Sequence, residues 1–507
     1  MPIPVAVAPA ILTPGLYISV NLLSGAASPG QGVLKVLLLS PKATSGDLTA
    51  DTEIRVGGGA DSAGTAFGIG TPGHLAAKQI YTKYPAAQVY FGAPVAGATA
   101  STLNVTASGS PTGNNSVHWD IMGREFDVAW NSGETADTFK TRAITEINSR
   151  GSDLAVTASS GGVGIVTVTG KVLGNISKDI LVKATLNLAA TGTEAMAGAL
   201  TATALAGGTT DPTFTNILAA AAGTEFAYIA IVTSNTDAET AAGTGNVAKV
   251  VTHINTYNTG LNASLQQAIV ATTKTQANAK AAAIGRNAPV LEHVHCTNAR
   301  SLPGELVGRE VGGRLAAESL DPSANRIGES FDGIYASANP TADKPTSAIS
   351  EDALGNGLSL IGYNAVGQAV LLRAVTTYSV DSGGAADRRL LDVQNVSATY
   401  AVVRDLRSAL PQQFAQAKIQ KDSLPSDDPP PAGVTEERDI KAFVISRLRF
   451  WQREGVIQKA TLDSVIASGE LIVQVNASDP TQVDILIPLR IVQPLAKIGV
   501  VAQRRPG

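Results

Sequence analysis

The chain has 507 residues, a formal net charge of -4 and one cysteine, Cys296. Its length predicts two or three domains with sizeable cores. One cysteine excludes a disulfide framework within the chain, and the 38 Lys and Arg residues form no long basic run, which argues against a nucleic-acid partner. No stretch reaches the roughly 18 to 20 apolar residues of a membrane helix, and the N-terminal segment lacks the basic start of a signal peptide. We therefore expect no direct membrane insertion.

Charged residues make up only 16% of the chain, whereas Gly, Ala, Ser and Thr are abundant. A surface poor in repulsive charge tolerates close packing against copies of itself. An ordinary protein rich in Ala and Gly would have the same composition, so composition alone leaves both interpretations open.

The first hundred residues predict an N-terminal arm, residues 1–24, and the first part of an α/β core, residues 25–100. Residues 32–40 are apolar and predict a buried strand. Residues 72–85 have the pattern of a helix, and residues 86–95 have that of a second strand. This alternation of strand and helix is typical of an α/β unit.

Residues 101–208 predict a β-rich domain that interrupts the core. Short segments rich in Thr and Val alternate in polarity at 101–108, 153–170 and 179–187, and Gly, Asn and Ser turns separate them. Residues 136–148 predict the one helix of this insert.

The α/β character returns after the insert, and we assign residues 209–422 to the second part of the core. A buried strand is predicted at 226–234 and a helix at 241–258. Stretches rich in Pro, Gly and Ser at 337–345 and 423–433 predict joints between units.

Residues 434–507 form a C-terminal unit that starts with an amphipathic helix. Thr435 is the predicted N-cap, and Gly455 suits the C-terminal end. The apolar face comprises Ile440, Phe443, Val444, Leu448 and Trp451. The opposite face carries Arg438, Lys441 and Arg449. A basic stripe of this kind is usually a solvated face, and a docking face is the alternative.

Gly68, Gly70 and Gly73 fit the G-x-G-x-x-G pattern of a dinucleotide-binding loop. That loop needs a strand directly before it and amides that converge on a pyrophosphate. A glycine-rich segment precedes this one instead, and Pro72 removes one amide donor. We therefore expect a plain turn that begins a helix.

Two other motifs suggest chemistry only weakly. The segment from Glu292 to Cys296 places two histidines beside a thiol, but no matching ligand cluster occurs elsewhere in the sequence, so ordinary strand residues are the better interpretation. Residues 380–384 resemble the surroundings of a subtilisin-type aspartate, but every histidine precedes residue 296, whereas that triad needs one after the aspartate. We expect no catalytic site, no metal and no cofactor.

The segment from Ala369 to Arg407 resembles the tail sheath proteins of contractile-tailed bacteriophages, the Mu-like branch in particular. The residues that match are Arg373, Thr376, Thr377, Tyr378, Asp387, Leu391, Asp392, Val393, Tyr400 and Arg404. Weaker matches on both sides extend the resemblance over nearly the whole chain, and the insert matches only loosely.

The resemblance implies a multidomain α/β (α+β) core of sheath type, with an inserted β-rich outer domain and extended N- and C-terminal arms. It implies a structural, non-enzymatic subunit that stacks as hexameric rings into a helical sleeve around a tail tube, together with baseplate and tail terminator proteins. Such a sleeve belongs to the virion tail, is assembled in the host cytoplasm, and contracts to drive the tube through the host envelope for genome delivery. The insert would project outward and be the most removable part.

The resemblance also implies that both arms extend the sheets of neighbouring subunits. The alternating apolar residues expected to do so are Leu16, Ile18 and Val20 near the N-terminus, and Val483, Ile485, Ile487 and Leu489 near the C-terminus. Pro488 and Pro494 restrict the second group to edge pairing. In this arrangement the tube-facing candidates are Arg438, Lys441 and Arg449.

Three alternatives accompany this interpretation. The same architecture would serve a phage-tail-like bacteriocin or another contractile injection system, and the sequence does not distinguish these from an infectious virion. A secreted surface adhesin would explain the insert rich in Thr and Val, but it predicts a secretion signal. An α/β enzyme would explain the core, but it predicts a convergent set of polar residues. We find neither in the sequence.

Overall fold

A computed structural model describes residues 34–188, 193–240, 243–259, 264–335, 337–422 and 431–495. Leu16, Ile18 and Val20 of the predicted N-terminal arm lie outside these ranges, as do residues 496–507 of the predicted C-terminal arm. Of the helices described, none is long and apolar enough to cross a membrane.

The described part of the chain contains twenty strands, which are numbered here in chain order. They are β1 (Lys35–Leu39), β2 (Ile54–Val56), β3 (Gln88–Gly92), β4 (Thr102–Ser108), β5 (Asn115–Ile121), β6 (Arg124–Trp130), β7 (Val156–Gly162), β8 (Ile165–Gly170), β9 (Leu181–Asn187), β10 (Ala195–Ala197), β11 (Thr203–Ala204), β12 (Tyr228–Ile231), β13 (Gln267–Thr272), β14 (Leu291–His295), β15 (Ser359–Tyr363), β16 (Ala369–Arg373), β17 (Lys418–Gln420), β18 (Val434–Glu436), β19 (Ile472–Val475) and β20 (Val483–Leu486).

The same residues contain twelve α-helices and one short 3-10 helix, Asn175–Asp179. The α-helices are α1 (Ala60–Phe67), α2 (Pro72–Lys83), α3 (Ala136–Ser149), α4 (Thr215–Ala221), α5 (Asn235–Ala238), α6 (Gly245–Tyr257), α7 (Gln276–Arg286), α8 (Pro303–Glu318), α9 (Ser347–Gly355), α10 (Val393–Phe414), α11 (Glu437–Arg453) and α12 (Lys459–Ser468).

An eight-stranded sheet forms the core, in the order β16-β15-β14-β13-β12-β1-β3-β2. Six of its strands are parallel, and β2 and β16 run antiparallel at the two edges. Every residue of β12, β13, β14 and β15 is buried, as expected for parallel strands covered on both faces. The α/β fold class predicted from the sequence is confirmed, and so are the strands and helices predicted at 32–40, 72–85 and 86–95.

Helices cover both faces of this sheet. Successive side chains of a strand point to opposite faces, so apolar side chains occur on both. Leu38 points to a cluster that includes residues of α1, α2 and α8. Leu37 and Leu39 point to the opposite cluster, which includes residues of α4, α6 and α10. The core is therefore a three-layer arrangement in which α8 lies against α2 and against β12 and β13.

The strands between residues 102 and 204 form two four-stranded sheets, in the orders β10-β4-β8-β7 and β11-β9-β5-β6. Helix α3 packs against them, where the sequence predicts a helix. Trp119 and Trp130 are fully buried, and the rings of Trp130 and Phe139 stack 4.8 Å apart. Leu75 and Leu302 of the core belong to the same apolar cluster, so the packing of this insert continues into the core.

The C-terminal unit consists of α11, α12 and the antiparallel pair β19–β20. Its apolar cluster includes Ile440, Val444, Leu448 and Trp451 of α11, which confirms the predicted inward face of that helix. Ala398 and Leu406 of α10 belong to this cluster too. Helix α10 thus packs on the sheet at its start and on the C-terminal unit further along.

Candidate assembly surface

The histidines at 293 and 295 lie on β14, which is buried along its whole length. Thr272 Oγ1 lies 3.2 Å from His293 Nε2 and 3.0 Å from His295 Nδ1. Burial lowers the pKa of both histidines, that of His295 to about 4, so both are neutral. Burial raises the pKa of Cys296 to about 12. In the described ranges no three His, Cys, Asp or Glu residues are grouped to hold a metal ion.

The glycine motif at 68–73 begins helix α2. Thr71 is the N-cap, and its hydroxyl accepts from the backbone N of His74 at 3.3 Å. Gly70 has a φ of 77°, and a Cβ there would lie 2.1 Å from the carbonyl oxygen of Gly151. The turn therefore both starts the helix and lets the insert approach the core closely.

Ligands of parallel sheets usually bind beyond the carboxyl ends of strands where the strand order reverses, which here is between β1 and β12. The 3-10 helix of the insert lies next to this place, at the carboxyl ends of β12 and β13. Asp179 is buried, accepts from the backbone N of Asn235 at 2.7 Å and pairs with Lys274 at 3.2 Å. Ile176 belongs to the apolar cluster of the core. The insert thus packs over the carboxyl ends of β12 and β13, beside the crevice in which an α/β enzyme would bind its substrate.

In the segment that carries the sheath-like pattern, hydrogen bonds join residues at the end of β16 to residues just before α10. Arg373 donates from Nε and Nη2 to the two carboxylate oxygens of Asp392, both at 2.8 Å. The backbone N of Thr376 donates to the carbonyl oxygen of Leu391, and its Oγ1 donates to that of Leu390, both at 2.7 Å. These bonds fix the loop that leads from β16 into α10.

Thr377 ties the same segment to the core. Its Oγ1 donates to the carbonyl oxygen of Ala288 and accepts from the N of that residue, both at 3.0 Å. Further along, the Tyr378 hydroxyl donates to Asp387 at 2.8 Å. Hydrogen bonds from Arg389 to Asp387 hold the pKa of this carboxyl well below its usual range.

Arg404 and Tyr400 lie on α10 and contact residues that precede β13. Arg404 donates to the carbonyl oxygen of Leu265 at 2.7 Å, and the Tyr400 hydroxyl lies 3.2 Å from Nδ2 of Asn258. The matching residues therefore do not converge on a ligand site. They act as separate clamps that hold α10 on the core.

Asp405, which the sequence did not single out, connects α10 to the C-terminal unit. Its carboxylate is 3% exposed and accepts from Nε of Arg447 and from Nε1 of Trp451, both at 3.0 Å. The only sequence signal for this contact was the predicted inward face of α11, on which Trp451 lies. The bonded pair indicates that α11 is held firmly against α10.

The basic stripe of α11 is partly neutralised within the chain. Arg438 pairs with Glu436, and Arg449 pairs with Asp463. Within the described ranges no acidic group lies within ion-pair distance of Lys441.

The N-cap of α11 is Glu436, in a capping box with Asp439, so the prediction of Thr435 was wrong by one residue. The buried Glu436 carboxylate accepts from the N3 backbone, which the hydroxyl of Thr435 does not do here.

The closing strands pair with each other in one chain. Ile472–Val475 runs antiparallel to Val483–Leu486, and Ile487 and Leu489 of the predicted alternation lie beyond the end of this strand. Val483, Ile485 and Ile487 pack on the apolar cluster of the unit, and Leu489 is buried in it. These four side chains therefore lie on one apolar side, and within this chain the partner of β20 is β19. Pairing with a neighbouring subunit stays a prediction.

Helix α8 carries charged residues that sequence reasoning missed. It is almost entirely buried, including Glu305, Arg309, Glu310, Arg314 and Glu318. No prediction was made for this helix from the sequence, and the partners of its charges come from distant segments. The one local signal was glycine: a Cβ at Gly308 would lie 2.1 Å from the carbonyl oxygen of Ala76, which indicates close packing on α2.

Solved structures with a similar fold include a sheath tail protein from Listeria innocua, with 13% identity, 86% of this chain and 87% of that chain covered and a TM-score of 0.42. A sheath tail protein from Desulfitobacterium hafniense has 12% identity, coverage of 95% and 100% and a TM-score of 0.42. A chain of the anti-feeding prophage baseplate has 10% identity, coverage of 98% and 100% and a TM-score of 0.45. No family model and no curated protein matches the chain. At these identities and TM-scores the similarity is one of fold and does not indicate function.

Proposed function

We propose that this chain is a structural subunit of a contractile tail sheath of the Mu-like type. It polymerises as stacked hexameric rings around a tail tube, from a baseplate to a tail terminator. It contracts to drive the tube through the host envelope and deliver the genome. The same assembly in a phage-tail-like bacteriocin or another contractile injection system would use the same contacts.

The observation that carries this proposal is the open edge of β20. The backbone N of Val475 donates to Glu437 at 2.6 Å and so points away from β20. Opposed residues of an antiparallel pair direct their backbone N–H and C=O groups either towards each other or away from each other. Val483 faces Val475, so the backbone groups of Val483, and those of Ile485 two residues further on, point away from β19, while their side chains pack on the unit. No strand among the described residues pairs with this side. A two-stranded sheet with an unpaired edge is a template for a strand from another chain.

Exposed apolar side chains accompany this edge. Leu486 is 42% exposed and Leu495 is 67% exposed. The N-terminal 33 residues contain no charged side chain and include the alternating Leu16, Ile18 and Val20. An arm of this composition from a neighbouring subunit fits the edge, because it brings apolar side chains and no buried charge.

The magnitudes explain why such arms would need a template. Ordering about ten residues costs roughly 10 to 20 kcal/mol of backbone entropy. Burying about five large aliphatic side chains returns roughly 8 to 15 kcal/mol, and six ladder hydrogen bonds add about 3 to 9 kcal/mol. The balance is near zero for one arm, so growth starts on a tube and baseplate and proceeds cooperatively.

Lys441 is the strongest candidate for contact with the tube. It lies on the outer face of α11, where Arg438 and Arg449 already have acidic partners in the chain. An exposed ion pair contributes about 0 to 1 kcal/mol, so a contact of this kind can break and re-form during contraction.

Replacement of Leu486 by Lys tests the open edge. A charged side chain on an edge strand opposes addition of a further strand, and the partial exposure of Leu486 keeps the loss of stability within about 1 kcal/mol. We expect a folded monomer that does not polymerise on tail tubes, measured by light scattering. Val56→Lys is the matched control, because Val56 is 64% exposed on the edge strand β2 of the core sheet. Equal polymerisation of both variants would contradict the role of β20.

Reversal of one charge tests the tube contact. We expect Lys441→Glu to reduce tube decoration in a co-sedimentation assay, and we expect added salt to weaken decoration by the unmodified protein. Lys441→Gln separates loss of attraction from repulsion and should have a smaller effect. If Lys441→Glu decorates tubes as the unmodified protein does, the stripe on α11 is a solvated face.

A further inference from the structure

Glu292 is a buried acidic residue on β14 that none of the proposed contacts uses. The charged groups that face it come from two elements: Arg314 and Glu310 lie on α8, and Arg326 lies in the loop that follows this helix. Ser359 at the start of β15 lies 2.8 Å from Glu292 Oε1. Glu292 also forms a β-bridge with Thr376, so it lies beneath the segment with the sheath-like pattern.

The single hydrogen of the Ser359 hydroxyl has two possible acceptors, Glu292 and the Val375 carbonyl, and the protonation state of Glu292 decides between them. Ser359 Oγ accepts from the backbone N of Val375 at 2.7 Å and lies 2.9 Å from the carbonyl oxygen of Val375. A hydroxyl group has one hydrogen and two lone pairs. If that hydrogen is donated to the Val375 carbonyl, the third contact, to Glu292, requires Glu292 to be the donor.

We propose that Glu292 is a proton-binding site: it is a neutral carboxylic acid that donates to Ser359, and its proton completes a clamp on Val375. In this state Ser359 accepts from Glu292 and from the Val375 amide and donates to the Val375 carbonyl. All three contacts are then satisfied. The clamp fixes the segment that leads from β16 towards α10.

The surroundings of the other carboxyl oxygen agree with this state. Glu292 Oε2 is buried and has no hydrogen-bond partner among the described residues, and the nearest cationic atom, Arg314 Nε, is 3.6 Å away. Glu310 is held by Arg326, whose Nη2 donates to it at 2.9 Å. Burial, and next the Glu310 carboxylate, raises the pKa of Glu292 to about 8. Arg314 forms a distant ion pair with Oε2 but no hydrogen bond, so it offsets little of the cost of burying a carboxylate in this place.

Loss of this proton changes the clamp. The proton passes to solvent, the Ser359 hydroxyl turns to the new carboxylate, and the Val375 carbonyl loses its donor. The folded-state pKa lies above the unfolded value, so stability from this group is complete below about pH 4 and is lost as the pH rises towards about 8. Above that range the clamp is open.

Infrared spectroscopy of the full chain tests the proposal. We expect a carboxylic acid C=O band at pH 7 that disappears as the pH rises past 8, that is missing in Glu292→Gln, and that shifts in Ser359→Ala because its hydrogen-bond acceptor is gone. A spectrum at pH 7 without a band that depends on Glu292 would overturn the proposal. If Glu292→Gln does not fold, the shift of the band in Ser359→Ala assigns it to Glu292.

Hydrogen exchange tests the clamp itself. At pH 9 the Val375 carbonyl of the wild type has lost the Ser359 hydroxyl, and only the amide bond still holds this residue. Its amide should therefore exchange faster than its intrinsic pH dependence predicts, whereas Glu292→Gln should retain protection, because its amide donates to Ser359 in the same way at every pH. The unfolding constant of the wild type should rise by up to about tenfold per pH unit between pH 5 and 8 relative to Glu292→Gln. Identical profiles for the two proteins would contradict a proton-operated clamp. None of these outcomes depends on assembly into a sheath.

Discussion

The bond between Arg124 and Glu305 should be the main electrostatic link between the insert and the core. Arg124 donates to the two oxygens of Glu305 at 2.5 and 3.2 Å. The side chain of Glu305 is 0% exposed and that of Arg124 is 14% exposed. Glu305 also accepts from the backbone N of Leu302 at 3.0 Å at the start of α8. Replacing Arg124 with Met therefore leaves a buried carboxylate without its cation.

We expect Arg124→Met to destabilise the junction by about 3 to 5 kcal/mol, the range for breaking a buried pair. The guanidinium also lies 4.7 Å from the ring centre of Tyr335, which adds about 0.5 to 1 kcal/mol. Adding Glu305→Gln should restore part of this loss, because a neutral amide removes the unpaired charge and still accepts from the backbone of Leu302. A double-mutant cycle should give a coupling energy of about 2 to 3 kcal/mol.

Urea unfolding measures the effect through the fluorescence of Trp119 and Trp130, with Trp451 replaced by Phe in every variant. The matched control is Lys78→Met, because Lys78 pairs with Asp153 across the same junction with both side chains nearly half exposed. An exposed pair should contribute less than about 1 kcal/mol. Equal effects of Arg124→Met and Lys78→Met would refute the claim that the junction depends on its buried ion pair. A large effect would also make the insert harder to delete than the sequence suggested.

Two further predictions concern the insert and the C-terminal unit. Hydrogen bonds from Arg142 lower the pKa of Glu134 to about 2. The stability that the ionised Glu134 contributes is therefore present above the unfolded pKa and is lost as the pH falls towards 2, so in Glu134→Gln the melting temperature of the insert should depend less on pH in the acid range. Asp405→Asn should weaken the bond to Arg447 by about 1 to 3 kcal/mol and speed hydrogen exchange in α11, and unchanged exchange would mean that apolar packing alone holds this helix.

Elements with strong local patterns were predictable from the sequence. The strand β1 is a short apolar run, and the helices α2, α3 and α11 have apolar residues at helical spacing. These local patterns were enough to predict the elements. The N-cap of α11 was wrong by one residue because Glu436 and Thr435 are both able to cap, and local sequence does not decide between them.

The contacts that join the units were not predictable. The charges of α8 find partners at positions 124, 292 and 326, and no local pattern relates residues so far apart. The pairing of β19 with β20 was not predictable for a related reason: alternating apolar residues indicate an inward face, but they do not say whether the pairing strand belongs to the same chain. Asp179 is a further example, since only the fold brings it to the ends of β12 and β13.

The most direct test of the proposed assembly is negative-stain electron microscopy of the purified full-length protein, alone and with tail tubes. We expect hollow cylinders with regular cross-striations, formed by the protein alone at high concentration or on added tubes at lower concentration. Single particles that neither polymerise nor decorate tubes under either condition would contradict the proposal that this chain is a sheath subunit.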